Sequence, residues 1–124
     1  MKSIRVLLVD DEAHVRRALQ MRLALEGDIE VVGAAPGGEA GIRLARELEP
    51  DVVLMDVSMD EMNGLSATHE LHSAVPGVAV VMLTMMDNEQ TRLMARYAGA
   101  VEFVGKHEHD DALLDAIRRV GRPI

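Results

Sequence analysis

The sequence contains no cysteine and no tryptophan, and among its 124 residues there is one phenylalanine and one tyrosine. Without thiols there can be no disulfide, no cysteine-ligated metal and no thiolate chemistry. With two aromatic rings there is little to stack on a flavin. An excess of positive charge is missing too. Thirteen Lys and Arg against 21 Asp and Glu leave a formal charge of −8, which argues against nucleic-acid binding by this segment, because phosphate backbones attract basic surfaces. Solubility explains most of that acidity. Long apolar runs are also lacking. Val78-Ala79-Val80-Val81-Met82-Leu83 falls far short of the roughly 20 residues that span a bilayer. Met1-Lys2-Ser3 leads straight into a strand-like run with no cleavage pattern. A cytoplasmic location and no membrane contact are therefore expected.

What remains is a globular balance, 48% hydrophobic and 27% charged, in a length that suits one domain spanning residues 1–124. Hydrophobic periodicity switches repeatedly between two types. Ile4 to Val9 is a β-branched strand run. Ala13 to Glu26 has Val15, Ala18, Leu19, Arg22 and Leu23 at helical spacing, with Gly27 placed as a C-terminal cap. Ile29 to Ala34 reads as a second strand, and Glu39 to Glu49 as a helix stopped by Pro50. Asp51 to Met55 is a third strand, Leu65 to Val75 a helix ended by Pro76-Gly77, and Val78 to Leu83 a fourth strand. Asn88 to Ala98 reads as a helix, Val101 to Val104 as a short fifth strand, and Asp111 to Val120 as a helix with Leu113, Leu114, Ile117 and Val120 inward. Strands that are apolar throughout need cover on both faces, and alternating helices supply it. The pattern predicts a three-layer α/β/α fold with a five-stranded parallel sheet and right-handed crossovers.

In such sheets ligands bind beyond the carboxyl ends of the strands. Asp10-Asp11-Glu12 follows the first strand, Asp56-Val57-Ser58-Met59 the third, Thr84 the fourth and Lys106 the fifth. Crowded carboxylates repel and need a cation; magnesium suits oxygen ligands and a substrate phosphate. A lysine ammonium adds a compact positive charge. Together these neutralise charge on a transferring phosphoryl group, and a carboxylate can itself be the nucleophile, forming an aspartyl phosphate. Each residue alone has a plainer explanation. A lone Asp10, Asp11 or Asp56 is ordinarily a helix or turn cap, Thr84 a cap for the fourth helix, and Lys106 a solvated charge. Four loops acquiring compatible groups by accident is a poorer account than one shared site.

The acidic pair after Val-Leu-Leu-Val, Pro50-Asp51-Val-Val-Leu-Met-Asp56, Met59 with Asn63-Gly64, Leu83-Thr84, and Gly99-Ala100-Val101-Glu102-Phe103-Val104-Gly105-Lys106 resemble the receiver domains of two-component response regulators over essentially the whole chain. The resemblance implies a flavodoxin-like (βα)5 fold with strand order 2-1-3-4-5, and Asp56 as acceptor of a phosphoryl group from the phosphohistidine of a sensor histidine kinase. It implies Mg²⁺, with Mn²⁺ as a substitute, held by Asp11, Asp56 and the Ser58 backbone carbonyl, and by Asp10 partly through water. Thr84 and Lys106 would contact the phosphate, and Phe103 would occupy the position of an aromatic residue that turns inward when the hydroxyl moves. A core Phe in a strand is an equally good account of Phe103. The stretch Glu30-Val-Val-Gly-Ala-Ala with Gly99-Ala100 resembles receivers joined to a helix-turn-helix domain of the nitrate-response type. That implies a transcriptional regulator acting on DNA through a separate output domain after Ile124, with homodimerisation on phosphorylation; a stand-alone receiver acting by protein–protein binding is the alternative.

Three positions depart from the family pattern. Asp60 replaces a proline after the methionine, Met85 replaces a small residue after the threonine, and His107 replaces the proline after Lys106. Without proline a cis peptide costs about 2.5–4 kcal/mol, so a trans Lys106–His107 bond is expected. Gly37, Gly38 and Gly41 follow the second strand and lack the dinucleotide pattern, so they read as a turn. His69 with His72, and His107 with His109, lack further ligands for zinc. The methionines, among them Met82, Met85, Met86 and Met94, read as gap-filling core or adaptable surface. Two other functions compete. A phosphatase or phosphotransferase turning over small substrates would need a second proton-transfer group near Asp56 and a substrate cap, and neither is evident. A flavodoxin-like cofactor carrier would need aromatic rings. The chain is thus expected to be a switch and not a turnover enzyme.

Overall fold

The computed structural model describes residues 2–56, 64–84, 88–105 and 110–121, in which strands and helices alternate throughout. The order is β1 (Ile4–Val9), α1 (Ala13–Leu23), β2 (Ile29–Ala35), α2 (Gly38–Leu48), β3 (Val52–Asp56), α3 (Gly64–Ala74), β4 (Ala79–Thr84), α4 (Glu89–Ala98), β5 (Glu102–Gly105) and α5 (Asp110–Gly121). The five strands form one parallel sheet in the order β2-β1-β3-β4-β5. Side chains alternate across the strands and split the interior into two layers. Val6, Leu8, Val52, Leu54, Val81, Leu83 and Val104 pack with Leu23 of α1 and with Leu113, Leu114, Ala116 and Ile117 of α5. Leu7, Val9, Val53, Met55, Val80 and Met82 pack on the opposite side with α2, α3 and α4. Each fully buried Val or Leu contributes about 1.5–3 kcal/mol relative to exposure.

Several strands end one residue later than their apolar runs suggest. Asp56 and Thr84 are themselves the last strand residues, paired in register with Leu83 and Gly105. The α1 helix corrects the sequence pattern in two respects. Ala18 is exposed while Leu23 is buried, and the helix stops at Leu23 with Ala24 as its C-cap, not at Gly27. The cause is a turn tied by Glu26 N–H to the Leu23 carbonyl (3.0 Å) and by Arg118 of α5. The Arg118 guanidinium donates to Glu26 Oε1 at 2.7 Å and to Asp28 Oδ2 at 2.8 Å. Those contacts hold Arg118 further toward its charged form, Asp28 contributing most.

The end of α2 obeys the expected proline stop. Glu49 takes a left-handed conformation (φ 47°) before buried Pro50, and Arg5 Nη1 donates to the orphaned carbonyls of Leu48 (2.6 Å) and Glu49 (3.0 Å). Gly41 lets α2 approach the sheet: a Cβ there would stand 2.8 Å from Val9 Cγ2. The Gly37-Gly38-Gly41 cluster is thus a helix start and a close packing contact. Gly99, at φ 110°, closes α4.

Candidate functional site

The carboxyl edge of β1 and β3 gathers the acidic residues. One carboxylate oxygen each from Asp10, Asp11 and Asp56 lies within 4.8 Å of the others, and among the described residues this is the group of three or more ligand side chains that could hold a metal. Asp10 and Asp56 are 2% and 4% exposed, whereas Asp11 faces solvent. The parallel pairing of β1 with β3 brings them together, and fully buried Val9 and Met55 just before them anchor their backbones.

Asp10 is held on three sides. Its N–H donates to the Ala35 carbonyl (3.1 Å), its Oδ1 accepts from Glu12 N–H (2.9 Å), and its carbonyl accepts from Arg16 Nη1 (2.6 Å). The first bond ties the end of β1 to β2, and the other two fix the turn into α1, whose N-cap residue is Glu12 without a side-chain cap of its own. Asp10 therefore does serve the helix start, as a lone aspartate would, while offering its carboxylate to the cluster. Arg16 was not evident as a site residue; only the turn of α1 back over the strand end brings it to Asp10.

Thr84 ends the neighbouring strand and is 2% exposed. It does not cap the fourth helix: Asn88 does, its Oδ1 accepting from Thr91 N–H at 2.8 Å. Phe103 sits in β5 opposite Met82, half-buried against the α2/α3/α4 layer, with the Arg92 guanidinium 4.8 Å above its ring. Met82 is fully buried and accepts a hydrogen bond at Sδ from Thr68 (3.3 Å), so this methionine is core, as expected; Met94 is exposed on α4. Ser58, Lys106, Asp60, Met85 and His107, with the expected trans bond at Lys106–His107, lie outside the described residues. His69 and His72 are exposed.

Three clustered carboxylates, two of them buried, suit a hard cation with oxygen ligands, and a hydroxyl at the end of the adjacent strand suits an anion placed between them. The sequence profile of the response regulator receiver domain matches residues 6–118. The chain belongs to that family. It is 37% identical over 120 residues to the response regulator protein VraR of Staphylococcus aureus, an alignment covering 97% of this chain and 57% of VraR. The chain thus spans little more than half the length of such relatives. The signal receiver domain of the putative response regulator NarL from Mycobacterium tuberculosis superposes with a TM-score of 0.87 at 28% identity, covering 98% of this chain and all of that one. A LuxR-family two-component response regulator from Aurantimonas sp. SI85-9A1 gives 0.91 at 28% identity, over 96% and 85% of the two chains. The chain is therefore a receiver domain of two-component signalling with the flavodoxin-like fold. Among its described residues no helix is long and apolar enough to cross a membrane.

Proposed function

We propose that this receiver is a phosphorylation-dependent switch in which Asp56 accepts a phosphoryl group from the phosphohistidine of a sensor kinase. The observation that carries this is the meeting of Asp10, Asp11 and Asp56 within 4.8 Å beside the strand that ends in Thr84. In the transfer a carboxylate oxygen of Asp56 attacks phosphorus, the P–N bond to the kinase imidazole breaks, and its electron pair leaves with the ring nitrogen. Asp56 is held rigidly by a fully buried strand, so its oxygen is positioned rather than searched for. Asp10, Asp11 and Asp56, with the Ser58 carbonyl, would hold Mg²⁺, or Mn²⁺ in its place, and the cation would neutralise charge on the phosphoryl oxygens. Thr84 donates a hydrogen bond to the new phosphate and Lys106 an ammonium contact. Asp10, already committed at Oδ1 to Glu12 N–H, acts partly through water.

Residues 1–124 form one receiver domain, placed in the cytoplasm, whose phosphorylated form pairs with a second copy and controls a DNA-binding output domain. Support for that output comes from the LuxR-family likeness and from the 57% share of VraR that the chain covers. The test is incubation with acetyl phosphate and Mg²⁺ followed by intact-mass measurement. One phosphoryl group adds to the parent and none to Asp56→Asn. An unmodified parent, or stable modification of the variant at another side chain, would overturn the assignment.

A further inference from the structure

Two peptide planes flank Asp11, and each is pinned by a neighbour. The plane joining Asp10 to Asp11 carries the Asp10 carbonyl, which accepts from Arg16 Nη1 at 2.6 Å. The plane joining Asp11 to Glu12 carries the Glu12 N–H, which donates to Asp10 Oδ1 at 2.9 Å. A peptide unit is flat and stiff, so fixing one of its atoms restrains the whole unit. Between two such planes the Asp11 backbone is held, and with it the direction of its Cβ. Asp11 faces solvent and lacks the burial that holds Asp10 and Asp56. Its carboxylate oxygen nevertheless lies within 4.8 Å of theirs.

Arg16 closes this turn twice. Its N–H donates to the Glu12 carbonyl at 3.1 Å, and its guanidinium reaches back past the helix start to the end of β1. Helix stability does not account for an arginine here. A cation in the first turn of α1 faces the positive end of the helix dipole, and no acidic side chain stands in that turn to offset it. Its charge does not suit a cation site either, because like charges repel. What arginine supplies is reach, with a charge-assisted bond to a carbonyl six residues back.

We infer that Arg16 is a positioning residue for the cation site: by holding the Asp10–Asp11 peptide plane, it presents the exposed Asp11 carboxylate to a metal shared with Asp10 and Asp56. This rests on the cation reading above. The plainer account is that Arg16 only satisfies a strand-end carbonyl and screens the acidic edge. The two accounts differ in sign. If Arg16 only screens, removing it takes away a positive charge, and Mg²⁺ binds more tightly. If it positions Asp11, removing it frees that backbone, and Mg²⁺ binds more weakly. Groups that orient the ligands of a metal are worth roughly 10–100-fold in affinity. The lost repulsion works the other way, so the low end of that range, roughly tenfold, is expected.

Mg²⁺ dissociation constants are measured by isothermal titration calorimetry on the parent, Arg16→Met and Arg17→Met, with circular dichroism to check folding. Arg16→Gln, neutral and too short to reach the carbonyl, repeats the test should Arg16→Met not fold. Arg17→Met is the charge control, since it removes the same charge from the next, exposed position of α1. Arg16→Met should bind Mg²⁺ roughly tenfold more weakly than the parent, and Arg17→Met no more weakly. An Arg16→Met constant equal to or below the parent's overturns the proposal, as does an equal loss in Arg17→Met. Acetyl phosphate gives a second readout. The Mg²⁺ concentration for half-maximal phosphorylation should rise roughly tenfold in Arg16→Met, while the rate at saturating Mg²⁺ stays near the parent's. A lower saturating rate with unchanged half-saturation also overturns it. Failure of the underlying reading looks different: the parent itself binds no Mg²⁺.

Discussion

Replacing Asp10 by asparagine should make the metal-free domain more stable. Asp10 shares the cluster with Asp11 and Asp56, their oxygens within 4.8 Å. At that separation the repulsion per pair is about 1–3 kcal/mol, for effective dielectric constants between roughly 80 and 20. The exposed Asp11 takes the lower end and the buried Asp56 the upper. The Arg16 guanidinium at the Asp10 carbonyl reduces the sum, so a net gain of about 1–3 kcal/mol is expected from removing one charge. Asparagine retains an Oδ1 to accept from Glu12 N–H, so the turn into α1 survives. Asp10→Ala removes the same charge and loses that bond, which costs about 1 kcal/mol. Thermal unfolding followed by circular dichroism in EDTA is the assay. Asp10→Asn should melt above the parent by roughly 4–12 °C, with Asp10→Ala between them. Millimolar Mg²⁺ stabilises whatever binds it in the folded state, and should raise the parent far more than either variant. If Asp10→Asn melts at or below the parent in EDTA, mutual repulsion does not govern this edge and the cation-site reasoning is wrong.

Gly41→Ala sets helix propensity against packing. A methyl there meets Val9 Cγ2 at 2.8 Å, and overpacking of about 1–3 kcal/mol outweighs the gain of about 1 kcal/mol from replacing glycine in a helix. The melting temperature should fall by several degrees, and a rise would show that α2 can lift off the sheet at no cost. The Arg22 and Arg118 guanidiniums, Arg22 foremost, hold the Glu26 carboxyl below its ordinary 4.5. A depressed carboxylate contributes stability that is fully present above 4.5 and is lost as pH falls through the lower folded value. Parent and Glu26→Gln melting temperatures should therefore differ at neutral pH and converge in acid; a constant gap would contradict the linkage.

Much of the architecture was legible because period-two and period-3.6 patterns report which faces are buried. The apolar strands and the inner face of α5 could be read that way. Pro50, whose ring limits its neighbour's backbone, marked the end of α2. The α1 boundary was misread at Gly27. Its true end depends on Glu26 and Asp28 reaching Arg118, some 90 residues away in sequence, and no local pattern carries that information. The same is true of Arg16 on the Asp10 carbonyl and of Arg92 over Phe103.

Asp10, Asp11, Asp56 and Thr84 were identifiable as site candidates because they follow apolar strand runs, and a parallel sheet sends all such positions to one edge. Sequence alone placed carboxylates and a hydroxyl at that edge. Only the tertiary structure decided that three carboxylate oxygens approach within 4.8 Å, that two of those residues are buried, and that Asp10 serves both a helix start and the cluster. Those facts depend on strand register and helix placement, which distant side chains settle together.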